Sequence, residues 1–189
     1  MPSYLQQLCH GKHGSDKLEW RPYVFSSAPI AVVYRLSALG YCVPGALCVF
    51  CAEHLRRYDS GFWWCMLGLA LVAQGIVAYL SDVVAWGQDR SVWKEIDPKM
   101  ASVLFVFFGP GLGARAALGL FVVPSTTIGI WLGACVLACF CKSMGAQASY
   151  RQSCCVEEVL LWHIGWHLLP LVAAFCVLDL TFGWTHTLA

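Results

Sequence analysis

The sequence predicts an all-α protein, a multi-pass transmembrane helical bundle with five to six, and at most seven, spanning helices. Apolar residue types make up 59% of the chain and charged types only 12%, about half the share that a soluble domain carries. The apolar residues are also collected into four long blocks, each long enough for the roughly 20 residues that cross a bilayer. The chain therefore has too little polar surface to cover a water-facing globule.

The predicted domain organisation has three parts. Residues 1–27 form a polar N-terminal segment, residues 28–182 a single transmembrane domain and residues 183–189 a short interfacial tail. The polar segment contains no apolar core with a small-residue cleavage site, so we expect no cleavable secretory signal peptide. A net charge of +1 gives no reason to expect nucleic-acid binding. The expected location is a membrane, and the expected partners are membrane lipids and other membrane subunits.

The four apolar blocks are separated by polar or helix-breaking segments. They cover residues 29–52, 62–84, 98–140 and 156–180. Pro44 and Gly45 predict a kink inside the first block. The third block is too long for one span, and we expect a break at residues 109–113. A second break at residues 123–127 is the alternative that divides the block into three helices instead of two. A polar loop is expected between the third and fourth blocks, over residues 142–153.

The last block carries two histidines four residues apart, His163 and His167. Residues i and i+4 lie on one face of a helix, so both imidazoles point the same way. From a helix start near Val156, His163 lies about 10 Å and His167 about 16 Å along the axis, at depths where an unsatisfied polar group costs several kcal/mol. Because neutral imidazole is a good zinc donor, the pair predicts a zinc site. The alternative is that both rings bond to neighbouring helices, a lipid or a cofactor.

Polar residues also lie at the ends of two neighbouring blocks. Ser81 and Asp82 are near the carboxyl end of the second block, where the helix dipole disfavours an anion. We therefore expect a cation, a metal ion or water beside Asp82; the alternative is a carboxylate that reaches the interface. Asp97 precedes Pro98, and aspartate at the N-cap followed by proline is a common helix start. That capping role is the alternative to a chemical role for Asp97.

The order of these motifs resembles a known superfamily. A Ser/Asp pair ends one membrane helix, an aspartate opens the next and HxxxH lies in the last, over the part of the chain from about Tyr79 to Pro170. This arrangement is similar to that of the alkaline ceramidases and adiponectin-receptor-like proteins. The resemblance implies seven membrane helices around a zinc ion, which is held by one early histidine and a late HxxxH pair. It also implies hydrolysis of a lipid amide by zinc-activated water.

The residues of this chain match that pattern in part. His163 and His167 match the late pair, Ser81 the serine and Asp97 the aspartate near the metal. The early histidine has no counterpart, since residues 62–156 contain no histidine. Asp82 is the nearest residue able to replace that ligand, because a carboxylate is an acceptable zinc ligand. The chain is also short for seven helices.

Two functions follow as alternatives. In a zinc-dependent lipid amide or ester hydrolase, Asp82, His163 and His167 would hold zinc. Asp97 would move the proton and Ser81 would hydrogen-bond the oxyanion. In a non-catalytic structural subunit of a larger membrane complex, the histidines would instead bond to neighbouring groups. Nine tryptophans, short loops and the lack of a soluble domain fit that second function.

Overall fold

The computed structural model describes residues 28–85, 91–108, 110–119, 122–150 and 156–183. The secondary structure of these residues is helical, as the sequence predicts. By length and composition, four segments of this described part are able to cross a membrane: Val32–Phe50, Gly61–Val84, Ser125–Gly145 and Leu160–Phe182. They fit a multi-pass integral membrane protein, but they do not establish five or six spans. The predicted N-terminal segment, and all of the predicted tail except Gly183, lie outside the described residues.

The first span is interrupted near its middle. Helix α1 (Ala28–Ala38) passes through a 3-10 turn (Leu39–Tyr41) into α2 (Cys42–Phe50), and the short helix α3 (Ala52–Leu55) follows. The predicted break therefore lies just before Pro44. A proline within the first turn of a helix removes no internal hydrogen bond, which is why α2 can begin there.

The second span ends in an unusual turn. Helix α4 (Gly61–Tyr79) starts where the Ser60 Oγ accepts a hydrogen bond from the Trp63 backbone N–H at 3.2 Å. After Tyr79 the chain continues as a π-helical turn (Leu80–Val84), and this turn carries Asp82. Turns of this kind are rare and occur mostly at functional sites.

The second break expected in the third block lies earlier than expected, because residues 118–119 and 122–124 are not helical whereas residues 125–127 are. Of the first expected break, residues 110–113 are helical and Gly109 lies outside the described residues. The chain forms α5 (Val92–Phe108), α6 (Pro110–Ala117) and α7 (Ser125–Tyr150). The loop predicted from residue 142 is wrong at its start, because α7 continues to Tyr150. Methionine, alanine and glutamine form helices readily, so this polar stretch extends a helix that has already begun. It contains Met144, Ala146, Gln147 and Ala148.

Asp97 does not cap a helix, contrary to the alternative drawn from the sequence. Helix α5 begins after Ser91, a residue type favoured at the N-cap, so Asp97 and Pro98 lie inside it. Pro98 removes one helical hydrogen bond, and the Ser102 Oγ donates to the Pro98 carbonyl oxygen at 2.6 Å. Asp97 is therefore free of the capping role.

The last block forms two helices. Helix α8 (Val156–Trp166) and α9 (Leu169–Phe182) are joined by a turn that contains His167. Gly183 ends α9 with φ +73°, a left-handed conformation that favours glycine. Measured from Leu160, where the span begins, His163 lies only about 4.5 Å and His167 about 10 Å along the axis. Both histidines thus lie closer to the end of the span than the sequence predicted, because the span begins at Leu160 and not at Val156.

Arginine contacts hold the helices together at the end of the bundle that is opposite Asp82 and the two histidines. Asp59, in the loop between the first two spans, forms an ion pair with Arg115 at 2.6 Å. In the same loop, Arg57 donates to the backbone carbonyls of Leu180 and Thr181 at the end of α9. These contacts satisfy carbonyl groups that a helix terminus leaves without a partner.

The tightest helix contact joins α2 to α4 through two glycines. A Cβ added at Gly68 would lie 2.6 Å from the Gly45 carbonyl oxygen, and one added at Gly45 would lie 2.7 Å from the Gly68 carbonyl oxygen. Small residues allow membrane helices to approach this closely.

We expect Gly68→Ala to lower the free energy of unfolding by roughly 1–3 kcal/mol, because the added methyl group must displace backbone atoms. Gly129→Ala is the matched control: a Cβ at this exposed position in α7 meets no atom within 4 Å, and alanine favours the helix by up to about 1 kcal/mol. The measurement is unfolding of both variants in detergent. Equal stability of the two variants would contradict the close approach.

Candidate metal centre

Three polar side chains from distant parts of the sequence meet at one end of the bundle. The Nε2 atom of His163 lies 3.0 Å from Oδ2 of Asp82, and the Nε2 atom of His167 lies 3.9 Å from the same oxygen. The two imidazole rings are 4.4 Å apart between centroids. All three potential ligand atoms lie within 4.8 Å of one another. The sequence-predicted ligands Asp82, His163 and His167 are therefore neighbours.

The donor set fits a divalent transition metal such as zinc. Tetrahedral zinc with ligand bonds near 2.0–2.1 Å separates its ligand atoms by about 3.3 Å. The distances of 3.0 and 3.9 Å from the Asp82 oxygen to the two imidazole nitrogens lie on either side of that value. Two histidines with one carboxylate are also a known catalytic zinc set, which leaves a fourth position for water or substrate.

The local fold explains why the three groups converge. Spacing of four residues places both histidines on one helix face, and the π-helical turn after α4 brings Asp82 to that face. Gly165 allows α8 to approach α7, because an added Cβ would lie 2.9 Å from the Cys141 Sγ. A larger residue at Gly165 would move both imidazoles.

The first span encloses the two histidines with aromatic rings. The ring of Tyr34 is 5.5 Å from the His163 ring, and the ring of Tyr41 is 6.1 Å from the His167 ring. His167 is only 5% exposed. Its Nδ1 atom is buried and has no hydrogen-bond partner among the described residues. The Nε2 atoms of both histidines are the ring nitrogens that lie near Asp82.

A cavity of about 530 Å³ lies against the histidines. Its walls combine the two imidazoles with carboxylate, ammonium, amide and hydroxyl groups and with apolar side chains. The polar lining residues are Tyr41, Gln74, Asp97, Ser102, Lys142, Ser143, His163 and His167. A ligand of lipid size would therefore meet polar groups around the metal ligands and apolar walls elsewhere.

The two predicted catalytic residues differ in their placement. Asp97 lines the cavity, and its Oδ1 accepts a hydrogen bond from Gln74 Nε2 at 2.7 Å. Ser81 is buried, with 4% of its surface exposed, and is not one of the residues that line the cavity. The structure thus brings Asp97, but not Ser81, to the space that a substrate would occupy.

Two cavity residues were missed by sequence reasoning. Gln74 is a lone amide in the otherwise apolar helix α4 and is 1% exposed. A polar group in the middle of a membrane helix is a functional candidate, so its position was a usable signal. Lys142 was assigned to a loop because it opens a polar stretch. Only the continuation of α7 places it on the cavity wall.

No model of a protein family, no curated protein and no solved structure matches this chain. Function therefore has to be inferred from the site itself.

We expect purified protein to bind about one zinc ion per chain and to lose it in His163→Ala, His167→Ala and Asp82→Asn, because each change removes one of three ligands. The matched control is His54→Ala, which alters an exposed histidine far from the site in the chain. Elemental analysis after dialysis gives the zinc content. Zinc retained by His167→Ala, or lost equally by His54→Ala, would contradict this centre.

Proposed function

We propose that this chain is an integral membrane zinc hydrolase that cleaves the amide or ester bond of a lipid, with a fold like that of the alkaline ceramidases. The observation that carries the proposal is the combination of Asp82, His163 and His167 beside a cavity that also contains the carboxylate of Asp97. These are the parts that metal-assisted hydrolysis needs: three ligands, an open side and a base.

The roles of the side chains follow from their placement. Asp82, His163 and His167 would hold a zinc ion, and that ion would supply Lewis acidity to polarise the substrate carbonyl and to lower the pKa of a bound water. Asp97 takes a proton from the attacking water and returns it to the amine or alcohol that leaves when the C–N or C–O bond breaks. Gln74 holds Asp97 through Oδ1, so Oδ2 is the oxygen that carries the proton. Ser81 has no part in this proposal because it does not line the cavity.

Apolar space inside the bundle favours a lipid substrate. A cavity of about 40 Å³ shares the side chains of Phe105 and Trp166 with the site cavity. It shares Phe108 and Trp131 with a further apolar cavity of about 90 Å³. These spaces form a series that leads away from the histidines between apolar side chains. An acyl chain that enters this series would leave its carbonyl carbon near the metal ligands.

We also propose five membrane crossings, with α5 as the fifth. Helix α5 has 17 residues, about 25 Å of helix. It begins after the turn that carries Asp82, and α6, which follows it, carries Arg115. Arg115 pairs with Asp59 in the loop between the first two spans, at the end of the bundle away from Asp82. Helix α5 therefore connects the two ends.

We expect Asp97→Asn to lower kcat for a lipid amide or ester by roughly a hundredfold or more, since the amide side chain cannot accept the proton. Zinc content should not change, because Asp97 is not one of the three ligands. Glu95→Gln is the matched control, an exposed acidic residue of the same helix. Hydrolysis of short- and long-chain lipid amides and esters in detergent, with zinc measured in parallel, gives the comparison. Full activity of Asp97→Asn would remove the base from the mechanism.

The second candidate function is a non-catalytic subunit of a larger membrane complex. One observation favours it: only 17% of the span Ser125–Gly145 is buried inside the chain, against 28–39% for the other three spans. Such an exposed helix suits contact with another protein as well as with lipid. Isolation of the chain in a stoichiometric complex without zinc would favour this function over the hydrolase.

A further inference from the structure

A lysine lies within a membrane span at the wall of the site cavity. Lys142 is three residues from the end of the span Ser125–Gly145, about 4.5 Å below it. Its ammonium lies 5.4 Å from the centroid of the Trp166 ring. Lys142 is exposed, and a lysine this close to the end of a membrane helix can extend its charged end toward the interface. The cation–π contact with Trp166 instead keeps the ammonium beside the cavity.

No described residue forms an ion pair with Lys142. Two of the described arginines do form ion pairs, Arg56 with Glu53 and Arg115 with Asp59. The carboxylate that shares the cavity with Lys142 is that of Asp97, and it accepts its hydrogen bond from Gln74. Among the described residues, no carboxylate therefore lies within ion-pair distance of the Lys142 ammonium.

The residues around Lys142 indicate which kind of anion would bind beside it. Ser102 and Ser143 add hydroxyl groups to the same cavity, while Phe105, Val106 and Cys139 give it apolar walls. A small soluble anion would gain nothing from these apolar walls. A lipid with an oxyanion in its head group would contact the polar groups with its head group and the apolar walls with its chain. This is possible because Lys142 lies close to the end of the membrane span.

We propose that Lys142 binds the oxyanion of an anionic lipid whose chain occupies the cavity next to the two histidines. The inference deepens the proposed function and rests on it, since the same cavity receives the substrate. It names the ligand class as lipids that carry an oxyanion beside an apolar chain. The oxyanion has two sources, a phosphate of the head group or the carboxylate that hydrolysis releases, and Lys142 suits both.

The test measures binding rather than turnover. Full-length protein in detergent is titrated with three probes of equal chain length: an alkyl phosphate, a fatty acid and an alkyl alcohol. Inorganic phosphate is the fourth probe and reports binding without a chain. We expect the alkyl phosphate to bind about tenfold to a hundredfold tighter than the alcohol, the range for a hydrogen bond to a charged group. Tighter binding of the fatty acid than of the alkyl phosphate assigns the site to the released carboxylate and also supports Lys142 as its partner.

The variants separate Lys142 from other sources of anion binding. Lys142→Gln should remove the preference for the anionic probes, and Lys142→Arg should keep it. Lys142→Met is a second charge-removing variant, because methionine retains an apolar stem against Trp166. Lys99→Gln, at an exposed lysine of α5, is the control and should behave as the unaltered protein. A preference that survives both Lys142→Gln and Lys142→Met overturns the proposal, as does equal binding of the alcohol.

Titrations without zinc test the lipid-binding proposal separately from the proposed hydrolase activity. The titrations are repeated after chelation and in His167→Ala. A preference that persists without metal and depends on Lys142 supports the lipid site even if no hydrolysis is found. A preference that disappears with the metal and is unaffected in Lys142→Gln overturns it, because the anion is then held by the metal. Inorganic phosphate that binds as tightly as the alkyl phosphate also overturns it.

Discussion

The contact between Asp82 and the two histidines constrains the rest of the bundle. Each of these groups would be costly to bury alone in an apolar environment. Their spacing of 81 residues, from Asp82 to His163, means that α4 and α8 must pack at matching heights. The first span must then cover the imidazoles, which it does with Tyr34 and Tyr41. The tight glycine contact between α2 and α4 fixes the height at which those rings lie.

The bundle separates chemistry from anchoring. His163, His167, Asp97 and Lys142 line one cavity, whereas the pair of Arg115 with Asp59 is at the other end of the bundle. Apolar cavities lie between the two ends, and near the arginine end the Thr127 hydroxyl donates to Asp179 at 2.7 Å. The contacts of Arg57 and Arg115 hold the helices together at the end of the bundle that is far from the cavity. That arrangement suits a site which must admit a flexible chain.

Local patterns predicted part of this fold and site. The apolar blocks, the break before α7 and the shared face of His163 and His167 follow from hydropathy, glycine and proline positions, and helical periodicity. The start of α5 was not predicted, because aspartate before proline is a common N-cap pattern and Asp97 precedes Pro98. The helix instead begins after Ser91, which is also a residue type favoured at the N-cap. The roles of Gln74 and Lys142 depend on residues that are distant in sequence, Asp97 for Gln74 and Trp166 for Lys142. Such tertiary neighbours cannot be read from spacing along one chain.

The acidic ligand bears on whether the site is catalytic or a remnant. In the proposed fold, Asp82 would take the place of the neutral histidine that the resemblance implies. A zinc complex with Asp82, His163 and His167 would then carry a charge of +1 instead of +2, which would reduce the cost of holding the ion within a membrane. The carboxylate also donates more charge to the metal, so the Lewis acidity is weaker than with three histidines. Hydrolytic enzymes with two histidines and one carboxylate nevertheless retain an active zinc. A chain of the proposed fold without the early histidine would therefore still have a zinc set that supports hydrolysis. In that proposal Asp97, which lines the cavity, is the residue whose role as a base would separate an enzyme from a structural relative.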